Sequence, residues 1–408
     1  MKKTSICLSV CGVFACFACN NEPPEPLELP DAQPIELRSE LKQRVVQDNA
    51  FALKLFHLNL QEEKENLLIS PLSVSIALGM TWNGAGGNTR AEMERALEMS
   101  GLSVGDINEY YLTMQEALPA VDPSTRLGIA NSIWYRQNFR VKPEFLAVNR
   151  NYFKAEISAL DFSDPSAVKT INDWCAGKTN RLIPEIIDRI GSDAVMYLIN
   201  AVYFKGIWTS RFDKNETYPG SFAAETGEKV AVNMMNQTGT FDYAVDGHAA
   251  YLDLPYGNRA FSMTVILPHE GKPLSGALTA ESWHAAIGNM YPREVNIHLP
   301  RFKFKYNIEM QQILQNLGMQ RAFAPVADFS GIAPGVYLSK VIHKTFVETN
   351  EEGTEAAAAT AVEVILTGAV GSSATPFMVD RPFLFVIREK STGVILFMGK
   401  VGKCVVEE

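Results

Sequence analysis

Basic residues are in short supply: 37 Lys and Arg stand against 46 Asp and Glu, for a formal net charge of −9. The cations are scattered along the chain, so no basic face suits a phosphate backbone and nucleic acid is excluded as a partner. Cysteine is nearly missing from the body. Of six, Cys7, Cys11, Cys16 and Cys19 sit at the extreme N-terminus, leaving Cys175 and Cys404, too few to staple a chain of this length. Cys16 and Cys19 have CxxC spacing, but their apolar setting does not suit a redox or metal site. No Gly-x-Ser-x-Gly elbow, His-Glu-x-x-His or Walker loop occurs, which removes the commonest hydrolase, metalloprotease and nucleotide chemistries. The histidines (57, 248, 269, 284, 298, 343) include no pair at metal-ligand spacing. Neither enzyme nor metal centre is expected, and no cofactor.

What is present is ordinary globular composition, 47% apolar and 20% charged over 408 residues, with ample sequence for a large core. The N-terminus differs. Lys2 and Lys3 precede an apolar run from Ile6 to Ala18, too short to span a bilayer and of secretory-signal type. Its end, Val13-Phe14-Ala15-Cys16-Phe17-Ala18-Cys19, resembles a bacterial lipobox. Cys19 is the expected lipidated residue, because polar Asn20 and Asn21 follow it. Cys16, with Val13 three positions earlier, is the alternative. Residues 20–40 carry prolines at 23, 24, 26, 30 and 34 among acidic residues and read as a stiff, solvated tether. Residues 41–408 form one domain on this reading. The mature protein would be exported and lipid-anchored to a bacterial outer membrane, facing periplasm or surface, or released.

Within that domain, Asn49 to Phe56 has apolar residues at helical spacing, and Ser70-Pro71 opens a nearly all-apolar helix ending at Trp82. Strand-like runs follow at Gly128–Tyr135, Val195–Phe204, Tyr251–Leu254, Phe261–Leu267, Val295–Leu299, Phe383–Arg388 and Val394–Met398. Helices dominate the first half and strands recur without βαβ regularity, the pattern of an α+β fold. Gly84-Ala85-Gly86-Gly87 follows a helix, lacks the Lys of a nucleotide loop, and reads as a helix-to-helix connection.

The most informative stretch starts at Glu351. From 354 to 366 the even positions read Thr, Ala, Ala, Thr, Val, Val, Leu, while every charge falls on the odd positions. Alanine richness alone favours a helix. The period-2 pattern instead allows a strand with one wholly buriable face. Gly368 to Pro376 is small and flexible, as an exposed tip should be. A segment able to be either loop or buried strand is the signature of a switch.

Glu351 to Ala358 resembles the hinge of inhibitory serpins. Further serpin-like blocks follow the family's order: Asn66-Leu67-Leu68-Ile69-Ser70-Pro71-Leu72-Ser73, Asn200 to Trp208, Leu299-Pro300-Arg301-Phe302, Ala327 to Ile332, and Asp380-Arg381-Pro382-Phe383. The resemblance implies three β-sheets, eight or nine helices and an exposed reactive-centre loop. It implies a hinge of Glu351, Gly353, Thr354, Glu355, Ala356, Ala357 and Ala358. Ser70, Ser73, Asn200 and His343 map onto the shutter, and Trp208 and Arg301 onto the breach where insertion begins. A Glu351–Arg301 pair is expected there, partly exposed and modest in value.

The implied activity is suicide-substrate inhibition of serine, and secondarily cysteine, proteases. A protease attacks the loop, forms an acyl-enzyme, and is trapped as the freed hinge becomes a new strand, a device established for serpins. Counting from Gly353 puts the cut between Thr367 and Gly368; counting back from Arg381 puts it near Gly371. Ile365, Leu366, Ala369 and Val370 are alternatives. No Arg or Lys lies between Glu351 and Arg381, which favours elastase-like or subtilisin-like targets. Partners would be the protease, in a covalent 1:1 complex with a monomeric inhibitor, and a membrane through the lipid. The alternative is a non-inhibitory serpin acting as carrier or chaperone.

Overall fold

The computed structural model describes residues 29–63, 65–354 and 374–404. Nine α-helices occur among them: α1 Ser39–Glu62, α2 Pro71–Trp82, α3 Gly87–Ala96, α4 Val104–Ala117, α5 Pro143–Phe153, α6 Ser166–Lys178, α7 Leu274–Ala277, α8 Ala280–Asn289 and α9 Gln311–Asn316. The strands are β1 Leu67–Ile69, β2 Arg126–Arg136, β3 Glu156–Leu160, β4 Met196–Ile207, β5 Tyr218–Ala223, β6 Lys229–Val245, β7 Ala249–Tyr256, β8 Phe261–Pro268, β9 Tyr291–Pro300, β10 Phe302–Glu309, β11 Ile342–Asn350, β12 Gly353–Thr354, β13 Thr375–Met378, β14 Phe383–Glu389 and β15 Ile395–Val401. All seven strand runs read from the sequence are present, with ends shifted by a few residues. The Asn49–Phe56 periodicity proves to be the middle of a longer helix, α1.

A six-stranded sheet runs β10-β11-β12-β4-β2-β3. The remaining strands form one hydrogen-bonded path, β1-β15-β14-β8-β7-β6-β9-β13, with β5 also on β6. Two of the three expected sheets run together in this path, because the 17-residue strand β6 pairs with strands of both. It pairs with β9 along Met234–Tyr243 and with β7 along Asp242–Val245. β8, β14 and β15 are buried at every position. Strands covered on both faces need no polar alternation.

Helix α2 lies between the sheets, packed on β4 and on β15. Pro71 sits at its first turn, where a missing N–H costs nothing. Gly84 to Gly87 joins α2 to α3, as expected of a connection rather than a phosphate cradle. At the N-terminus, Ala32 and Ile35 pack on the core, Leu37 is buried, and the Ile35 amide donates to Ser391 Oγ at 2.9 Å. The chain thus meets the body before Leu41, because apolar side chains interrupt the prolines. No described helix is long and apolar enough to cross a membrane. Cys175 and Cys404 are free and buried, and burial pushes the Cys175 thiol up to about 11.

A buried charge cluster ties α2 to its neighbours. Arg44 donates to Asp48 Oδ1 at 2.9 Å and to Ser75 Oγ of α2 at 3.3 Å. Tyr110 of α4 donates to Asp48 Oδ2 at 2.8 Å. Removing one member of such a pair leaves a naked buried charge, at a cost of about 3–5 kcal/mol. Arg44→Leu should lower stability by that amount in thermal unfolding, and Arg44→Leu/Asp48→Leu by much less; a single-variant loss below about 1 kcal/mol would contradict the assignment.

Candidate functional site

The six-stranded sheet contains a seam. Among the described residues β4 and β11 share no ladder with each other and are joined only through β12, which has two residues. Thr354 pairs with Thr349 of β11 on one side and Gly206 of β4 on the other; Gly353 pairs with Asn350 and Ile207. This part of the hinge already occupies the upper end of the seam, antiparallel to both neighbours.

Two features let it sit there. A Cβ on Gly353 would lie 2.0 Å from the Gly206 carbonyl oxygen, so only glycine fits the approach. Thr354 is buried, and its Oγ1 meets the Tyr256 hydroxyl at 2.6 Å. Burial pushes that phenol well above its ordinary range. Trp208 stacks on Tyr256 with centroids 4.5 Å apart, and its indole N–H donates to the Asn350 carbonyl at 2.9 Å.

The turn before the hinge is held by charge. Arg301 Nε donates to Glu351 Oε1 at 2.7 Å, and Thr217 Oγ1 donates to the same oxygen at 2.6 Å. The pair is more enclosed than expected on the acidic side: the Glu351 side chain is 2% exposed and that of Arg301 38%. Glu352 meets Arg211 at 2.9 Å and Lys214 at 3.0 Å.

A second polar group crosses the middle of the seam. Ser70 caps α2, its Oγ accepting from the Ser73 amide at 3.4 Å, while its own amide donates to His343 Nε2 of β11 at 3.0 Å. Ser73 Oγ donates to Asn200 Oδ1 of β4. All four residues expected in the shutter therefore meet, with α2 as the link between the seam's two sides. The bonds continue beyond them. Asn200 donates to Asn131 Oδ1 of β2 at 2.7 Å, and Asn131 to Gln115 Oε1 of α4 at 2.7 Å. Sequence reasoning missed Asn131 and Gln115. The available signal was an amide in the middle of a strand otherwise rich in apolar residues, where Asn is depleted and needs buried partners. Asn131 stands directly opposite Asn200 in the ladder.

No group of three or more potential metal ligands occurs among the described residues. Glu355, Ala356, Ala357, Ala358, Ile365, Leu366, Thr367, Gly368, Ala369 and Val370 lie outside the described residues, as do Cys16 and Cys19.

Among the described residues, then, two central strands of the sheet are joined only by Gly353 and Thr354, with polar side chains linking them through α2 farther down. A family model, "Serpin (serine protease inhibitor)", matches residues 46–404. The chain belongs to the serpin family. A serpin-like protein of Thermococcus kodakarensis is 35% identical over 86% of this chain and 84% of its own length. The leukocyte elastase inhibitor of Sus scrofa is 34% identical over 88% of this chain and 99% of its own. The crystal structure of a thermophilic serpin, tengpin, in the native state is 36% identical and superposes with a TM-score of 0.83, covering 92% of this chain and 97% of that one.

Burial pushes the His343 imidazole down to about 4, which keeps Nε2 free to accept from Ser70. The unfolded chain binds this proton near pH 6.5 and the folded one only near 4, so stability rises with pH across that window and is flat above it. The span corresponds to about 3 kcal/mol. Melting temperature of the intact protein should therefore fall from pH 7 to 5, and His343→Gln, which keeps an acceptor but cannot titrate, should fall less. Equal slopes for the two proteins would remove His343 from the account.

Proposed function

We propose that the chain is a suicide-substrate inhibitor of serine proteases, with cysteine proteases as a second class and elastase-like or subtilisin-like enzymes as preferred targets. The observation that carries the reading is the seated pair Gly353–Thr354, the start of a strand between two neighbours that share no ladder of their own. The protease nucleophile attacks the loop carbonyl and forms an acyl-enzyme, releasing the amine of the next residue. Thr367 and Gly368 flank the proposed bond. The freed hinge then continues down the seam before water can hydrolyse the ester.

The register supports this course. Continued unbroken from Thr354, position 360 falls opposite Asn200 on β4 and opposite His343 on β11. Thr360 would then cross the seam at these polar side chains, on the same face as buried Thr354. Insertion must therefore part His343 from Asn200. New ladder bonds, roughly a dozen at about 1 kcal/mol each, and burial of the apolar even face would drive it. Before cleavage the protein would be held by kinetics rather than equilibrium. The naming of a similar protein as an elastase inhibitor supports the target class, as does the lack of Arg and Lys between Glu351 and Arg381. The N-terminal segment supplies the location: export, cleavage before Cys19 and lipid attachment there, holding a monomeric inhibitor at a membrane.

Incubation with elastase should give an SDS-resistant 1:1 adduct, with the released C-terminal peptide starting at Gly368. Cleavage of the loop should also raise the melting temperature sharply. A cut, unchanged melting profile with no adduct would favour a carrier instead. Thr354→Arg places a charge against Tyr256 and should raise the stoichiometry of inhibition several-fold, converting inhibitor to substrate. Unchanged stoichiometry would refute the burial of the even face.

A further inference from the structure

The outer face of the six-stranded sheet carries two uncompensated cations beside the seated hinge. On β4 the Phe204 ring is turned inward, where it meets Tyr256, Phe261 and Phe397 of the other sheet. Lys205, the next residue, therefore points to the outer face. Arg126 of β2 stands directly opposite Lys205 in the ladder, which sets the two Cβ atoms roughly 5 Å apart on one face. Like charges so placed repel. Neither makes an ion pair among the described residues, on a chain whose net charge is −9. Lys205 is half-buried and Arg126 exposed.

The next residue of the hinge falls at this place. With Thr354 opposite Gly206 on β4 and Thr349 on β11, position 355 comes level with Lys205 on one side and Glu348 on the other. Thr354 faces inward on Tyr256, so position 355 in a continued strand faces outward, on the side of Lys205 and Arg126. It is a glutamate. Glu348 is already taken by Lys303 of β10 at 3.4 Å. Read across the sheet, the row would become Lys303, Glu348, Glu355, Lys205, Arg126, with the incoming carboxylate beside the two cations that have none. The rest of the odd face follows the same logic. Positions 357, 359 and 361 come opposite Tyr203, Ala201 and Ile199, and all three are alanine. Ala201 and Ile199 belong to the apolar cluster that α6 forms on this face with Ile171 and Cys175, where a charge would be buried without a partner. Glu363 falls beyond Ile199 and level with Lys340.

We propose that Lys205, backed by Arg126, is a positioning residue for insertion: it draws Glu355 into the sheet as the first residue to enter, and so biases the acyl-enzyme toward trapping over hydrolysis. The inference rests on the inhibitory reading above and adds to it the charge step that starts the new strand. Two effects act in one direction. The intact chain keeps Lys205 and Arg126 in repulsion, and the inserted chain relieves it with a carboxylate of its own. A pair on the outer face of a sheet is screened by salt, so the bias weakens as ionic strength rises.

The test mixes elastase with the unchanged chain, with Lys205→Glu, with Glu355→Lys and with the exchange Lys205→Glu/Glu355→Lys; Lys229→Glu on the other sheet is the control. SDS gels give the ratio of cleaved free inhibitor to adduct for each. Lys205→Glu should raise that ratio about fivefold, the upper range for an exposed pair. Glu355→Lys, which leaves the two cations in place, should raise it as well. The exchange should return it to the level of the unchanged chain, a rescue that a lysine needed only for folding would not give. The differences should shrink at high salt, and the control should match the unchanged chain. Equal ratios in the unchanged chain and both single variants, or an exchange no better than Lys205→Glu alone, would overturn the role of Lys205 while leaving the inhibitory mechanism standing. Failure of the unchanged chain to form any adduct would overturn both.

Discussion

The ladder missing between β4 and β11 is the constraint around which the molecule is organised. A sheet normally gains from every neighbouring pair of strands, and here, among the described residues, two long central strands are joined only through Gly353 and Thr354. The proposed insertion would draw on that gap. Two sets of bonds bear on this gap. Glu351, Arg301, Thr217 and Trp208 surround the turn before Gly353, while Ser70, Ser73, Asn200 and His343 link β4 and β11 through α2 farther down.

Helix α2 carries the second set. Its first turn supplies both shutter serines, and its next turn is tied by Ser75 to Arg44 and Asp48 in the core. The buried ion pair anchors this helix in the core, at an energetic cost that an apolar core would not carry. Gly79 belongs to the same design: a Cβ there would come 2.6 Å from the Tyr111 ring, so the helix seats close against α4 only because that position is glycine.

Much of this was legible in the sequence, and for physical reasons. The α2 helix announced itself through Ser70-Pro71, and the central strands through short β-branched and aromatic runs. The two-residue period of the hinge falls almost wholly on residues outside those described; its first members, Gly353 and Thr354, lie in the six-stranded sheet. The shutter residues came from family resemblance, and the structure brings all four together. What the sequence hid was pairing. Asn131 looks unremarkable until the register sets it against Asn200, and Gln115 until α4 is placed beside β2. The depth of Glu351 was misjudged because its turn looked polar; Thr217 and the β9–β10 corner cover it. The union of two expected sheets through β6 depends on one strand's length, and no local pattern reveals which neighbours a long strand will serve.

The upper end of β4 is fastened to the other sheet by backbone as well as side chain. Trp208 bridges Tyr256, the Thr209 amide donates to the Pro255 carbonyl at 2.9 Å, and the Gly257 amide donates to the Ile207 carbonyl at 2.8 Å. Lower down, β4 touches α2 through packing and the Ser73–Asn200 bond. Across the seam, β11 is held by Thr345 Oγ1 donating to the Leu68 carbonyl at 2.8 Å, and the β10 end by the Arg301 amide on Asn233 at 2.9 Å. The two sides of the seam are thus held unequally: β4, carrying β2 and β3, is fastened by backbone, among the described residues, at its Ile207–Trp208 end alone, whereas β10 and β11 are tied to the other sheet at Arg301 and Thr345.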